Sequence, residues 1–208
     1  MNLHRTTGKP DWAKIKQNRR NAWQQLGAAT GSAVTPGNLV TIIGLMLVLV
    51  GLAEILMHQY WFGAIFLAVG RLCDIADGML ADKTGTKSPL GELLDASIDK
   101  LGTFLTLLVL FVASVAPKWA LLGLVTPHII ITFFTLWLRL NNRQLHPSRA
   151  GKLSMFTAWC SVLALIVVHA AHITGLNIIT VAVYGLTALS SLLGLYALYG
   201  YIHTSEHS

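Results

Sequence analysis

The sequence predicts an all-α integral membrane protein, with six transmembrane helices preceded by an N-terminal amphipathic juxtamembrane helix. Three observations carry that expectation. Over 208 residues the mean hydropathy is +0.60 and 54% of residues are hydrophobic, more than an ordinary soluble domain carries. The apolar residues gather into six runs, each close to the ~20 residues that a helix needs to cross a bilayer. Six of the nine acidic residues fall within residues 71–100, which leaves the other runs almost free of negative charge. On this basis residues 1–37 form a basic amphipathic interfacial segment, 38–200 a six-helix membrane domain and 201–208 a polar C-terminal tail.

Residues 1–37 hold Arg5, Lys9, Lys14, Lys16, Arg19 and Arg20 against one acid, Asp11. Trp12, Ile15, Ala22, Trp23 and Leu26 recur among them at near-helical spacing. That is the pattern of a helix lying on a membrane surface with Trp at headgroup depth. Thr35-Pro36-Gly37 then breaks it. Spans are expected near 38–57, 60–82, 91–115, 119–140, 153–173 and 177–200. Gly44 and Gly51, like Gly63 and Gly70, let neighbouring helices approach closely. The first apolar run begins near Asn38, behind a long basic stretch and ahead of five more runs, unlike a cleaved signal peptide. Cys73 and Cys160 lie in apolar runs without ligand spacing and read as small buried hydrophobes.

Loop charge gives an orientation. Basic residues mark the N-terminal segment, the second connection (Lys83, Lys87) and the fourth (Arg139, Arg143, Arg149, Lys152). The first and fifth connections have none and the third has only Lys118. By the positive-inside rule the N-terminus, the second and fourth connections and the C-terminus face the cytoplasm, a layout suited to a bacterial inner or plasma membrane. The net charge of +6 borders apolar spans and does not interleave with aromatics on a polar face. Anionic lipid headgroups and phosphorylated substrates are therefore the expected partners, and nucleic acid is not.

The second and third spans carry the chemistry. Asp74, Asp77, Gly78 and Ala81 sit at i, i+3, i+4 and i+7 on one helical stripe, and Gly91, Asp95 and Asp99 at i, i+4 and i+8 on another. Carboxylates this dense among apolar spans are costly without a compensating cation, so they read as a site. Four of them, converging from two helices that small residues bring together, suit a hard, oxygen-loving divalent cation. One ion leaves a large negative excess, which favours two, Mg²⁺ or Mn²⁺. The alternative is a structural set paired with Arg71, Lys83, Lys87 and Lys100. Asp82 and Glu92 lie outside the stripes and read as solvated loop acids.

These residues resemble the signature of the CDP-alcohol phosphotransferase family, DxxDGxxA followed by GxxxDxxxD. Here it is Asp74, Asp77, Gly78 and Ala81, then Gly91, Asp95 and Asp99. One position departs: Asp82 stands where the family usually has an Arg beside the nucleotide. The resemblance implies a CDP-linked lipid, usually CDP-diacylglycerol, whose diphosphate sits on the metal ions. An alcohol attacks the lipid-side phosphorus and CMP leaves. On this carry-over Asp99 is the general base and also touches a metal. Asp74, Asp77 and Asp95 are metal ligands, and Gly78, Ala81 and Gly91 leave room for the nucleotide.

Asn38 and Thr41 resemble the Pro-Asn-xx-Thr element that opens the first helix in that family, with Gly37 as an extra residue, and are candidate contacts to the CDP-linked lipid, although Asn and Thr are also ordinary helix caps. Ser148-Arg149-Ala150-Gly151-Lys152 resembles its Gly-Lys element. Arg139, Arg143, Arg149 and Lys152 are therefore candidate contacts to a phosphate on the acceptor. The connection 84–91 and the following LLDASIDKL are similar to phosphatidylglycerophosphate synthases and cardiolipin synthases. Glycerol 3-phosphate is thus the first expected acceptor, with inositol phosphate, serine and phosphatidylglycerol as alternatives. The resemblance also implies a homodimer. Rivals from other classes are an intramembrane prenyltransferase, whose Asp motifs lie on well-separated hairpins, and a cation transporter, expected to show repeats and a mid-membrane site.

Overall fold

A computed structural model describes residues 12–30, 34–86, 88–140, 149–173, 175 and 177–206; the side chains of Glu92, Asp95, Arg139 and Arg149 lie outside the described part. Among the described residues all regular structure is helical: α1 (Trp12–Ala29), α2 (Pro36–Leu56), α3 (Tyr60–Thr84), α4 (Pro89–Val112), α5 (Lys118–Leu140), α6 (Arg149–Ala170) and α7 (Ile178–Glu206). Three stretches are long and apolar enough to cross a membrane, Pro36–Leu56, Ala150–Ala170 and Ile178–Gly200, and Lys118–Phe134 is a shorter apolar stretch. Large apolar side chains stay exposed on them, among them Ile178, Leu192 and Phe133, as a lipid-facing surface requires and a water-facing one does not.

The expected breaker Thr35-Pro36-Gly37 starts α2. The Asn38 amide donates to Thr35 Oγ1 at 3.2 Å, so Thr35 is the cap. Pro36 takes the first helical position, where its missing N–H costs nothing. α4 opens by the same grammar, with the Gly91 amide donating to Ser88 Oγ at 3.1 Å and Pro89 first in the helix. α3 ends in a Schellman cap. The Thr86 amide reaches the Ala81 carbonyl (3.1 Å), the Gly85 amide reaches that of Asp82 (3.2 Å), and Gly85 supplies the positive φ of 65°.

The chain forms two compact units. The first is Met1–Met46 with Gly70–Leu101, and the second is Leu47–Val69 with Gly102–Ser208. The second unit holds an apolar core of Leu52, Ile55, Leu67, Leu110, Leu124, Trp159 and Ile166 among others. A side chain on Gly51 would come within 3.0 Å of the Gly63 carbonyl, so α2 and α3 meet there backbone to backbone. In the same unit α7 packs on α5 and α6. Pro127, inside α5, has no N–H for the carbonyl of Gly123, and Ser191 Oγ donates to that carbonyl at 2.9 Å. The hydroxyls of Ser154 and Ser190 each donate to the other's carbonyl at 3.2 Å, joining α6 to α7.

Candidate active site

The first unit carries the acidic stripes. Three contacts bring its helices together. Gly44 lies against Gly70 and Cys73, where an added Cβ would meet the Gly70 carbonyl and the Cys73 Cβ at 3.1 Å. Gly37 lies against α3 one turn beyond Asp77, its own Cβ position 3.2 Å from that of Ala81 and 3.3 Å from the Asp77 carbonyl. At the start of α4, Gly91 leaves room for Asn38, whose Oδ1 is 3.0 Å from where a Cβ would stand. Ala81 and Gly91 thus serve close packing of helices. Gly78 differs, since among the described residues nothing lies within 4 Å of the side chain it lacks. Of the three small residues grouped by spacing, Gly78 is the one that faces open space.

Each described carboxylate of the motif is held. Asp77 is buried at 4% exposure and accepts a 2.5 Å hydrogen bond from Thr41 Oγ1, itself buried and 3.1 Å from the Gly37 carbonyl. Thr41 therefore spends its hydroxyl inside the protein, fixing one Asp77 oxygen. Arg71, one turn before Asp74 on α3, donates from Nη1 to Asp99 Oδ1 on α4. The same Nη1 lies 3.4 Å from Asp74 Oδ2. The side chains of Arg71, Asp74 and Asp99 are only 19%, 24% and 21% exposed. At that burial the pairing of charges matters far more than on an open surface.

The pairing with Arg71 considered as an alternative to metal is thus present for Asp74 and Asp99. Its sequence signal is the i, i+3 spacing to Asp74, while the link to Asp99 spans 28 residues and has none. Spacing also did not point to Arg20 and Gln24 of α1. A side chain on Gly85 would stand 2.8 Å from Arg20 Nη2 and 3.0 Å from Gln24 Nε2, so α1 covers the turn that leaves the motif.

Divalent ions fit the donor set in kind. Asp74, Asp77 and Asp99 offer only oxygen, and a cationic group already lies between two of them. Among the described residues, no three His, Cys, Asp or Glu side chains are gathered closely enough to hold an ion; the side chain of the fourth acid, Asp95, lies outside them. Of the expected acceptor contacts, Arg143 and the side chains of Arg139 and Arg149 also lie outside the described residues. Lys152 is exposed in the first turn of α6, in the second unit.

Long apolar helices, with motif acids set on two adjacent helices, α3 and α4, define an all-helical membrane protein. The profile described as CDP-alcohol phosphatidyltransferase matches residues 34–193, and the chain belongs to that family. It is similar to the archaetidylinositol phosphate synthase of Pyrococcus horikoshii, at 34% identity over 43% of this chain and 47% of the relative. It is also similar to the phosphatidylinositol phosphate synthase of Mycolicibacterium smegmatis, at 30% identity over 50% of this chain and 44% of the relative. A third relative is cholinephosphotransferase 1 of Saccharomyces cerevisiae, at 33% identity over 34% of this chain and 21% of the relative. The chain spans about half or less of the length of the curated relatives it matches. Inositol phosphate synthases thus take the place of the phosphatidylglycerophosphate synthases suggested by the α3–α4 connection. The resemblance of that connection and of the start of α4 rests on a short stretch around the motif, whereas the similarity to the two inositol phosphate synthases extends over 89 and 105 residues.

Proposed function

We propose that the protein transfers a phosphatidyl group from a CDP-linked lipid to an inositol phosphate, releasing CMP, in phospholipid biosynthesis. The observation that carries the reaction is that motif acids from α3 and α4 come together at one guanidinium, Asp74 and Asp99 both meeting Arg71. The similarity to two inositol phosphate synthases supports the acceptor over glycerol 3-phosphate. Mg²⁺ or Mn²⁺, two ions in this reading, would be held by Asp74, Asp77, Asp95 and Asp99, and would neutralise the diphosphate and the leaving CMP. Thr41 orients Asp77 for that task. Asp99 accepts the proton of the attacking hydroxyl. The open space beside Gly78 receives the nucleotide, with Asn38, Ala81 and Gly91 forming its packed border. Arg139, Arg143, Arg149 and Lys152 are the candidate grips on the acceptor's phosphate.

In the same reading α2 to α7 all cross the membrane and α1 lies on its cytoplasmic surface. Ile15 and Leu26 stay exposed on α1, as a helix with its apolar stripe in lipid would leave them. α3 and α4 fall short of uniform apolarity because they carry the site. A homodimer is part of the proposal by family resemblance alone. The test is CMP release by purified protein with CDP-diacylglycerol and Mg²⁺, offering inositol 1-phosphate, glycerol 3-phosphate, serine, inositol and phosphatidylglycerol. Release with inositol 1-phosphate is expected. Asp99→Asn should lower it by at least ~10²-fold, the usual share of a general base. Release with a different acceptor would overturn the acceptor assignment, and no release with any acceptor would overturn the reaction.

A further inference from the structure

The carboxylates assigned to divalent ions are already engaged by a cation of the protein's own. Arg71 bonds Asp99 and lies within ion-pair distance of Asp74, and all three side chains are about four-fifths withdrawn from solvent. We infer that Arg71 is an internal counter-ion that competes with the divalent cation for Asp74 and Asp99 and must give up Asp99 before the site can work.

Without a cation, carboxylates at this depth carry an uncompensated charge that low-dielectric surroundings penalise. Arg71 removes most of that penalty in the ion-free protein, and it does so across two helices, so α3 and α4 keep their spacing before any ion arrives. A guanidinium is suited to this role. It stays charged at all working pH values, and its fork can meet oxygens from two acids at once.

The two cations cannot hold the same oxygens. Two divalent ions carry four positive charges, which four carboxylates balance without help. A further positive charge within a few ångströms then repels the ions, by Coulomb's law in a medium less polar than water. Asp99 is where the exchange matters most. While its Oδ1 accepts from Arg71, the guanidinium charge beside that carboxylate makes it a weaker acceptor for the proton of a substrate hydroxyl. Binding of the ions releases Arg71, and that release is what frees the base. Arg71 is on this view a positioning residue: it acts through Asp74 and Asp99, and needs no contact with substrate.

The exchange rests on the assignment of these acids as ligands, so its test reads metal binding and not turnover. Full-length protein in detergent is titrated with Mn²⁺, and free Mn²⁺ is followed by its paramagnetic resonance signal, for wild type, Arg71→Gln and Arg71→Lys. A merely structural Arg71 predicts that its loss disorders the acids and weakens Mn²⁺ binding. A competing Arg71 predicts the opposite sign. Arg71→Gln should bind Mn²⁺ about tenfold more tightly, the size of one partly buried, charge-assisted pair. Arg71→Lys, which keeps the charge but loses the fork, should fall between the two.

Thermal unfolding supplies a second reading. In EDTA, Arg71→Gln should melt below wild type, and saturating Mn²⁺ should close that gap. Equal or weaker Mn²⁺ binding in both variants would overturn the proposal, as would absence of Mn²⁺ binding in all three proteins. If Arg71→Gln does not fold, the Arg71→Lys affinity decides. CMP release by the wild type separates the two claims. Release without the expected gain in Mn²⁺ affinity sinks only the counter-ion role, and the gain without release sinks only the reaction.

Discussion

Substituting Thr41 by Val isolates one hydrogen bond at the heart of the site. The exchange replaces a hydroxyl with a methyl group of nearly the same volume, so packing around the side chain changes little. What disappears is the 2.5 Å bond to Asp77 Oδ2. Asp77 is 4% exposed, so water cannot readily take the place of the lost donor. Hydrogen bonds to charged groups contribute roughly 1.5–3 kcal/mol, and a loss of about 2 kcal/mol is expected here. At roughly 2–4 °C per kcal/mol for a chain of this size, the unfolding midpoint should fall by about 4–8 °C. The assay is fluorescence-monitored unfolding in EDTA, with Thr41→Ser as the control that keeps the hydroxyl. A double-mutant cycle with Asp77→Asn should return a coupling of about 1–2 kcal/mol. The reasoning fails if Thr41→Val melts with wild type, or if Thr41→Ser loses as much.

Other substitutions separate packing from function. Gly37→Ala forces a methyl group to 3.2 Å from Ala81 Cβ and 3.3 Å from the Asp77 carbonyl, and overpacking of this kind should cost about 1–3 kcal/mol in thermal unfolding. Gly78→Ala meets nothing within 4 Å among the described residues, so it should not lower the melting temperature while it raises the KM for the CDP-linked lipid. Gly85→Ala combines a φ of 65° with Arg20 Nη2 at 2.8 Å. Its cost should be about 1–2 kcal/mol from the backbone alone, read by unfolding, with displacement of α1 visible as faster proteolysis within residues 12–29.

Helix order was legible because apolar length is a one-dimensional signal. The starts of α2 and α4 were not, and both lie two residues before the expected 38 and 91. Thr35-Pro36 and Ser88-Pro89 look like breaks when Pro is read only as a helix breaker, yet both are cap and first-turn pairs. The stripes of Asp74, Asp77 and Asp99 follow from helical periodicity alone. Which partner each acid takes does not. Thr41 lies 36 residues from Asp77 and Arg71 lies 28 from Asp99, distances over which spacing carries no register. The same holds for Ser191 and Gly123, 68 residues apart. There the missing N–H of Pro127 signals that a carbonyl needs a donor, but not which donor answers. Small residues were ambiguous for a related reason. A missing side chain is the same in sequence whether its space is filled by a neighbouring helix, as at Gly91 and Gly37, or left open, as at Gly78.

The two donors that hold the acids are not equivalent, and the difference follows from charge. A carboxylate has about four lone-pair sites. A neutral hydroxyl can occupy one of them on Asp77 while the rest face a cation, so Thr41 can stay in place when the proposed ions are bound. Arg71 cannot do the same on Asp99, because it brings a positive charge to the spot where the ions bring theirs. Thr41 is therefore a permanent support and Arg71 a temporary one. The consequence is a contrast between two variants of similar severity. Thr41→Val should lower the melting temperature in EDTA and in saturating Mn²⁺ alike, whereas Arg71→Gln should lower it in EDTA only. A site built from both keeps its acids positioned while empty, yet gives up only the contact that would oppose the ions.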